Sequence, residues 1–146
     1  MEMGVHGVHL GKNDMDPLQA RETMGAEAII GITANTAEDI LKYKGRDVDY
    51  VGLGPYRFTT TKANLSPVLG TEGYADIVKT VRDADMLLPI VAIGGIGVED
   101  IPALMSTGIN GVAVSGSIIN AHDPIAYTRL LLDTLNETVS ALRKKS

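Results

Sequence analysis

Short apolar segments rich in β-branched residues alternate along the chain with amphipathic segments. The apolar segments begin near Gly7, Ala28, Asp49, Pro89 and Gly111. The first three starts are about 20 residues apart, the spacing of a repeating unit of strand, loop and helix. Segments such as residues 29–32 are apolar on both faces, which is typical of parallel strands covered by helices. The pattern predicts five β/α units in one parallel sheet.

Two predicted helices begin with an aspartate followed by a proline. Asp16 precedes Pro17, and Asp123 precedes Pro124. An aspartate side chain accepts hydrogen bonds from the first free N–H groups of a helix, and proline suits the first helical position. After Pro124 the apolar residues recur with a helical period at Ile125, Leu130, Leu131, Leu135, Val139 and Leu142. A long C-terminal helix packed against the sheet is therefore predicted.

Length and charge narrow the functional classes. The 146 residues contain no linker-like stretch, so we expect one domain over residues 1–146. The net charge is −5, and the only basic cluster is at residues 143–145, which argues against a nucleic-acid partner. The chain has no cysteine, no apolar run of the roughly 18 residues that a membrane span needs, and no recognisable signal peptide. These features predict a soluble cytoplasmic protein that needs no membrane.

Small residues follow two of the predicted strands. Gly94 and Gly95 come after one strand, and Ser115 and Gly116 come after the last, with a short helix expected from Ser117. Glycines let backbone N–H groups approach an anion, and a helix N-terminus favours negative charge. The loops after the last two strands of a (β/α)₈ barrel frequently bind phosphate. The pattern predicts a phosphate cup, although glycines also serve tight strand-to-helix turns without any ligand.

The order of several motifs resembles one known family. They read GVHLG at 7–11, NDM at 13–15, IIG at 29–31, DYVGLGP at 49–55, TTTK at 59–62 and VAIGGI at 91–96. In this order, and with compatible spacing from about Gly4 to Pro124, they are similar to thiamine phosphate synthase. The resemblance implies a (β/α)₈ TIM-barrel fold. It also implies a transferase that joins hydroxymethylpyrimidine diphosphate to thiazole phosphate or its carboxylate, releasing pyrophosphate with the help of Mg²⁺.

The resemblance assigns roles at the pyrimidine diphosphate end. Asp14 matches a Mg²⁺ ligand, although a carboxylate here could also serve only the loop or the helix start. Thr33 stands where the family usually has a serine, and its hydroxyl would act on the pyrophosphate or pyrimidine end. Thr33 could instead bond only to its own backbone.

The resemblance assigns further roles at the acceptor end. Thr59, Thr61 and Lys62 match a loop that contacts the anionic groups, with Lys62 taken as catalytic; the alternative is a solvated polar loop. These three residues lie in a connection between residues 54 and 71 that is long enough to suggest a functional loop. Gly95, Ser115 and Gly116 match backbone donors to the acceptor phosphate. Arg57, in a position that is usually apolar, and the histidines receive no role.

The resemblance begins at the fourth strand of the family pattern. The first three β/α units of that pattern have no counterpart in these 146 residues. Five strands cannot close an eight-stranded barrel, and an open edge exposes unpaired backbone groups. We therefore expect a partial barrel that has a truncated or mis-assigned start, a companion fragment, or self-association as a homo-oligomer. On this expectation the chain alone binds thiazole phosphate or inorganic phosphate but turns over slowly or not at all.

Two alternatives remain open from the sequence. One is a thiazole tautomerase-like enzyme, which would share the barrel and the phosphate cup but not the diphosphate apparatus. The Thr-Thr-Thr-Lys stretch at 59–62 favours the synthase over this alternative. The other is a non-catalytic phosphate-binding half-barrel that acts only with a partner fragment.

Overall fold

Five parallel strands form one sheet in chain order. The computed structural model describes residues 4–58 and 67–144. The strands are β1 (Gly7–Leu10), β2 (Ile29–Ala34), β3 (Tyr50–Leu53), β4 (Ile90–Ile93) and β5 (Gly111–Ala113). Their spatial order is β1-β2-β3-β4-β5, and every neighbouring pair is parallel. The structure thus confirms the prediction of a partial barrel of five β/α units, with strand starts within one residue of those expected.

Helices follow every strand of the sheet. They are α1 (Pro17–Met24), α2 (Ala37–Leu41), α3 (Gly70–Asp83), α4 (Ile101–Ser106, entered through a 3₁₀ turn at Val98–Asp100), α5 (Gly116–Ile119) and α6 (Pro124–Arg143). The Asp16 side chain accepts a hydrogen bond from the Leu18 N–H at 2.9 Å. Asp123 accepts from the Ile125 and Ala126 N–H groups at 3.0 and 2.9 Å. Both predicted helix caps are confirmed.

The core lies between the sheet and its helices, on one face of the sheet. Along β4, Ile90 and Ala92 are buried, whereas Val91 and Ile93 on the opposite face are only half-buried. On β2 the same alternation leaves Ile29 54% exposed while Ile30 is fully buried. Strands that are apolar on both faces are therefore covered by helices on one face only, in the described part of the chain. The other face corresponds to the inside of a barrel.

Helix α6 packs along one stripe of its surface. Leu131 is buried, and Tyr127, Leu135, Val139 and Leu142 pack against the core. The prediction of a long packed helix is confirmed. Two of the residues assigned to its packed face are not on it, however: Ile125 is 68% exposed and Leu130 is 50% exposed. Successive positions three or four residues apart define the packed stripe, and these two residues fall outside it.

Tyr74 of α3 bonds to the ends of two neighbouring strands, β3 and β4. Its buried hydroxyl donates a hydrogen bond to the Leu53 carbonyl at the end of β3. The Ile93 N–H at the end of β4 donates to the same hydroxyl at 3.3 Å. Burial raises the pKa of the Tyr74 phenol, which therefore stays protonated at physiological pH. The Tyr74 hydroxyl thus holds together the two strand ends from which the loops after β3 and β4 begin.

Both outer strands of the sheet have a single strand neighbour within residues 4–58 and 67–144. Strand β1 pairs only with β2, and β5 pairs only with β4. Of the helices described, none is both long enough and apolar enough to cross a membrane.

Candidate functional site

A cavity of about 700 Å³ lies at the carboxyl ends of β2 to β5. Four residues assigned to the site from the sequence line it together: Thr33, Gly95, Ser115 and Gly116. Thr33 lies near the end of β2, Gly95 follows β4, and Ser115 and Gly116 follow β5. In parallel α/β sheets, ligands bind at this end of the strands. The structure therefore brings the predicted phosphate cup and Thr33 to one cavity.

The turn after β4 requires its two glycines. Gly94 and Gly95 have φ values of +87° and +71°, a left-handed conformation that other residues rarely adopt. A Cβ atom on Gly95 would lie 2.9 Å from the Cβ of Arg57, and one on Gly94 would lie 2.8 Å from the Cβ of Pro55. The Arg57 N–H also donates to the Gly94 carbonyl at 3.0 Å. The loop after β3 and the glycine turn therefore form one packed wall of the cavity.

The second wall of the cup is the start of α5. This helix begins at Gly116, one residue before the expected Ser117, and the N–H groups of Ile118 and Ile119 donate to the Ser115 carbonyl at 3.0 Å. The side chain of Ser117 lines the cavity. Its Oγ is buried and has no hydrogen-bond partner among the described residues. A buried hydroxyl in this condition can donate to a bound oxygen anion.

Thr33 is held by a histidine on the neighbouring strand. Its Oγ1 lies 3.0 Å from Nε2 of His9, and Nδ1 of His9 lies 3.0 Å from the Tyr50 hydroxyl. The Thr33 hydroxyl thus bonds across the sheet, where the sequence left a bond to its own backbone as the alternative. Burial raises the pKa of the Tyr50 phenol. Sequence reasoning gave His9 no role. The His9 ring lies over Gly52 of β3, where a Cβ atom would come within 2.8 Å of the ring, so the glycine leaves room for it on the inner face.

Asp14 lies in a smaller cavity of about 150 Å³ that shares Thr33 with the larger one. Its Oδ2 accepts a hydrogen bond from the Gly11 N–H at 2.7 Å. Asp16 caps α1, so Asp14 is not needed for that purpose. In the parts of the chain that the structure describes, no group of three or more His, Cys, Asp and Glu side chains could hold a metal ion. A single carboxylate still suits Mg²⁺, because this ion often takes one carboxylate with water and substrate phosphate oxygens.

The predicted loop residues Thr59, Thr61 and Lys62 lie outside the described residues. Just before them, Arg57 and Phe58 line the larger cavity. The Arg57 guanidinium donates to both carboxylate oxygens of Asp100, with distances of 2.9 and 2.5 Å. Asp100 is only 4% exposed and also accepts from the Gly97 N–H at 2.8 Å. The sequence analysis gave Arg57 no role and did not consider Asp100, because the partners are 43 residues apart and share no local motif.

The sequence of the chain is similar to those of thiamine-phosphate synthases. The family described as thiamine monophosphate synthase matches residues 1–118. The thiamine-phosphate synthase of Bacteroides thetaiotaomicron is 55% identical over 132 residues, which cover 90% of this chain and 63% of that protein. The thiamine-phosphate synthase of Flavobacterium johnsoniae is 46% identical over 140 residues, which cover 96% of this chain and 64% of that protein. The chain thus spans less than two thirds of the length of these relatives.

Comparison with solved structures points to the same family as the sequence comparison. Thiamine phosphate pyrophosphorylase from Pyrococcus furiosus superposes with a TM-score of 0.77 at 31% identity, over 92% of this chain and 61% of that one. The 3-hexulose-6-phosphate synthase of Salmonella typhimurium has a TM-score of 0.65 at 17% identity, over 92% of this chain and 64% of that one. At that low identity the second likeness shows only a common fold.

Proposed function

Because this chain belongs to the thiamine monophosphate synthase family, we propose that it carries the acceptor-binding part of a thiamine phosphate synthase site. The reaction joins hydroxymethylpyrimidine diphosphate to thiazole phosphate, or its carboxylate, and releases pyrophosphate. The observation that carries the proposal is the convergence of Thr33, Gly95, Ser115 and Gly116 on one cavity at the carboxyl ends of the strands.

We place the acceptor phosphate between the glycine turn after β4 and the start of α5. Both segments line the cavity, and both offer backbone N–H groups at the positions that the family resemblance assigns to phosphate binding. The buried Oγ of Ser117 adds a donor in the same wall. Converging N–H and O–H groups bind phosphate oxygens without needing a nearby cation. This part of the site lies wholly within the described residues.

The pyrimidine diphosphate would bind on the side of Thr33 and Asp14. If the Tyr50 hydroxyl donates to Nδ1 of His9, then Nε2 carries the proton and donates to Thr33 Oγ1. The Thr33 hydroxyl proton is then free to bond an oxygen of the diphosphate. Asp14 would supply one carboxylate ligand to Mg²⁺, which, when bound, offsets the negative charge that develops on the departing pyrophosphate. For Thr59, Thr61 and Lys62 we retain the roles that the family resemblance implies, as contacts to the anionic groups.

The proposed reaction breaks the bond between the pyrimidine methylene carbon and the diphosphate oxygen. The electron pair of that bond leaves with pyrophosphate, and the thiazole nitrogen forms the new bond to the methylene carbon. No proton has to leave the thiazole nitrogen in this step. The chain would therefore bind the acceptor phosphate and the diphosphate, and it would hold hydrogen-bond donors near the leaving oxygens. It would also bring the thiazole nitrogen close to the pyrimidine methylene carbon.

Assembly of the site with additional strands is part of the proposal. Strands β1 and β5 are sheet edges in the described residues, and the inner-face residue Ile29 of β2, next to the β1 edge, is 54% exposed. A second copy of the chain, or β/α units supplied by another segment, would cover these surfaces. We propose the cytoplasm as the compartment. A phosphate-binding half-barrel without activity of its own remains the second candidate, because the open edges favour a partner.

Pyrophosphate release tests the proposal. The 146-residue chain is mixed with Mg²⁺, hydroxymethylpyrimidine diphosphate and thiazole phosphate, alone and with the N-terminal β/α units of a relative. Release that depends on both substrates, in either mixture, supports a synthase site. Binding of thiazole phosphate without release in either mixture would instead support the non-catalytic half-barrel. Absence of both binding and release would contradict the proposal.

A further inference from the structure

We infer that Arg57 and Asp100 are positioning residues for the phosphate-binding turn after β4, and that their ion pair sets the affinity of the cavity for the acceptor phosphate. The inference rests on the proposed function. It deepens that function by naming two residues that would control acceptor binding through the position of the turn.

The ion pair joins the two loops that form one wall of the cavity. Arg57 belongs to the loop after β3, and Asp100 lies at the end of the 3₁₀ turn after β4. Both terminal nitrogens of Arg57 donate to the carboxylate, at 2.9 Å to Oδ2 and 2.5 Å to Oδ1. A bidentate pair of this kind fixes direction as well as distance, because the guanidinium is planar. Glu99 adds a longer contact to Arg57 at 3.4 Å.

Asp100 also bonds to the backbone of the glycine turn. Its Oδ2 accepts the Gly97 N–H at 2.8 Å, so one carboxylate oxygen contacts both the arginine and the backbone of the turn. At the other end of the turn, the Arg57 N–H donates to the Gly94 carbonyl at 3.0 Å. Residues 94–97 are therefore held at one end by the Asp100 carboxylate and at the other by the backbone of Arg57, the residue whose side chain binds Asp100. Their intervening N–H groups are those proposed to bind phosphate.

The two side chains of the ion pair differ in their exposure to solvent. The Asp100 side chain is 4% exposed, whereas the Arg57 side chain is 50% exposed and lines the cavity. Loss of Arg57 would leave a buried carboxylate without its cation, which destabilises a protein strongly. Removal of the charge from both partners would avoid that penalty but would not restore the bidentate geometry. If the pair is purely structural, the double variant should regain both stability and affinity. If the pair positions the turn, the double variant should regain stability but not affinity.

The inference is tested by calorimetric titration of the full 146-residue chain with thiazole phosphate, at a temperature where each variant is folded. Arg57→Gln should weaken binding about tenfold, because the supporting residues of a site hold its binding groups in place. Arg57→Lys should lie between Arg57→Gln and the unaltered chain, since an ammonium keeps the charge but cannot form the bidentate pair. Lys79→Gln, which removes an exposed ion pair with Asp83 on α3, serves as the matched control and should bind normally.

The double variant Arg57→Gln with Asp100→Asn gives the decisive comparison. We expect it to recover thermal stability relative to Arg57→Gln while its affinity for thiazole phosphate stays about tenfold weak. Hydrogen exchange at the Gly97 amide should be faster in both variants. Recovery of affinity together with stability, or unchanged affinity in Arg57→Gln, would overturn the inference alone. No binding of thiazole phosphate by the unaltered chain would overturn the proposed function, and the inference with it.

Discussion

The Oγ1 of Thr33 lies 3.0 Å from Nε2 of His9, although the two residues belong to different strands. The other ring nitrogen of His9 lies 3.0 Å from the Tyr50 hydroxyl on a third strand. This chain of hydrogen bonds runs across the inner face of the sheet, from β3 through β1 to β2. It fixes the threonine hydroxyl at the boundary between the two cavities. One polar group is thereby held where two binding regions meet.

Removal of the threonine hydroxyl should weaken diphosphate binding. In Thr33→Ala we expect affinity for inorganic pyrophosphate with Mg²⁺ to fall about 10- to 100-fold, the usual cost of losing a hydrogen bond to a charged group. Thr33→Ser should retain most of the affinity because it keeps the hydroxyl. Thr80→Ala on the exposed side of α3 is the matched control. Equal affinity in Thr33→Ala and Thr80→Ala, measured by titration calorimetry, would contradict the role of Thr33.

Asp14 should account for the effect of Mg²⁺ on pyrophosphate binding. The quantity compared is the factor by which Mg²⁺ increases the affinity for pyrophosphate. In Asp14→Asn we expect this factor to be at least about ten times smaller than in the unaltered chain, because an amide is a much poorer ligand for a hard cation. Asp16→Asn is the control, since asparagine also caps a helix and Asp16 serves α1. Titrations with and without Mg²⁺ measure the difference. The same Mg²⁺ enhancement in Asp14→Asn as in Asp16→Asn would refute the assignment.

The glycine turn should not tolerate a side chain. Gly95→Ala places a Cβ 2.9 Å from that of Arg57 in a left-handed backbone conformation. We expect it to lower the free energy of unfolding by about 1–3 kcal/mol and to weaken thiazole phosphate binding. Gly111→Ala is a suitable control, because nothing lies within 4 Å of its added Cβ. Urea unfolding measures the stabilities. A Gly95→Ala variant as stable as Gly111→Ala would show that this turn has another conformation in solution.

Stability should depend on pH through Asp49. Burial raises the pKa of this carboxyl, but hydrogen bonds from the Ile30 N–H and from Arg21 outweigh burial and hold the pKa below its ordinary value. A pKa lowered by folding means that the carboxylate stabilises the fold above its unfolded pKa. That contribution is lost as the pH falls through the folded pKa.

Asp49→Asn should therefore lower the free energy of unfolding at pH 7, by less than about 1 kcal/mol because the Asp49 side chain is 43% exposed and solvent screens its interactions. The difference should be smaller below about pH 4. Asp133→Asn on the exposed face of α6 should change little at either pH. Urea unfolding at pH 7 and at the lowest pH where the chain stays folded checks both. A difference between Asp49→Asn and the unaltered chain that grows on acidification would contradict this explanation.

Local patterns in the sequence predicted the architecture well, for a physical reason. Parallel strands appear as continuous apolar runs, and an aspartate before proline marks a helix start, so both signals lie within a few neighbouring residues. The face of α6 was less predictable, because Ile125 and Leu130 are apolar yet exposed. Which apolar residues pack depends on the direction of the helix across its neighbours, and this direction is not a local property.

The candidate site was predictable where its residues lie at or just after the end of a strand, as at Thr33, Gly95 and Ser115. It was not predictable where partners meet only after folding. His9 and Tyr50 are 41 residues apart, and Arg57 and Asp100 are 43 residues apart. Neither pair carries a spacing that one sequence could reveal. The contacts that hold the site in place were thus the part that required the structure.

The central claim is that the glycine turn after β4 and the start of α5 bind the acceptor phosphate through their backbone. Amide NMR of the ¹⁵N-labelled chain titrated with thiazole phosphate tests it most directly. We predict the largest shifts at the N–H groups of Gly95, Ser115 and Gly116, with the same pattern for inorganic phosphate. Shifts concentrated elsewhere, or none at these three amides at saturating ligand, would contradict the account.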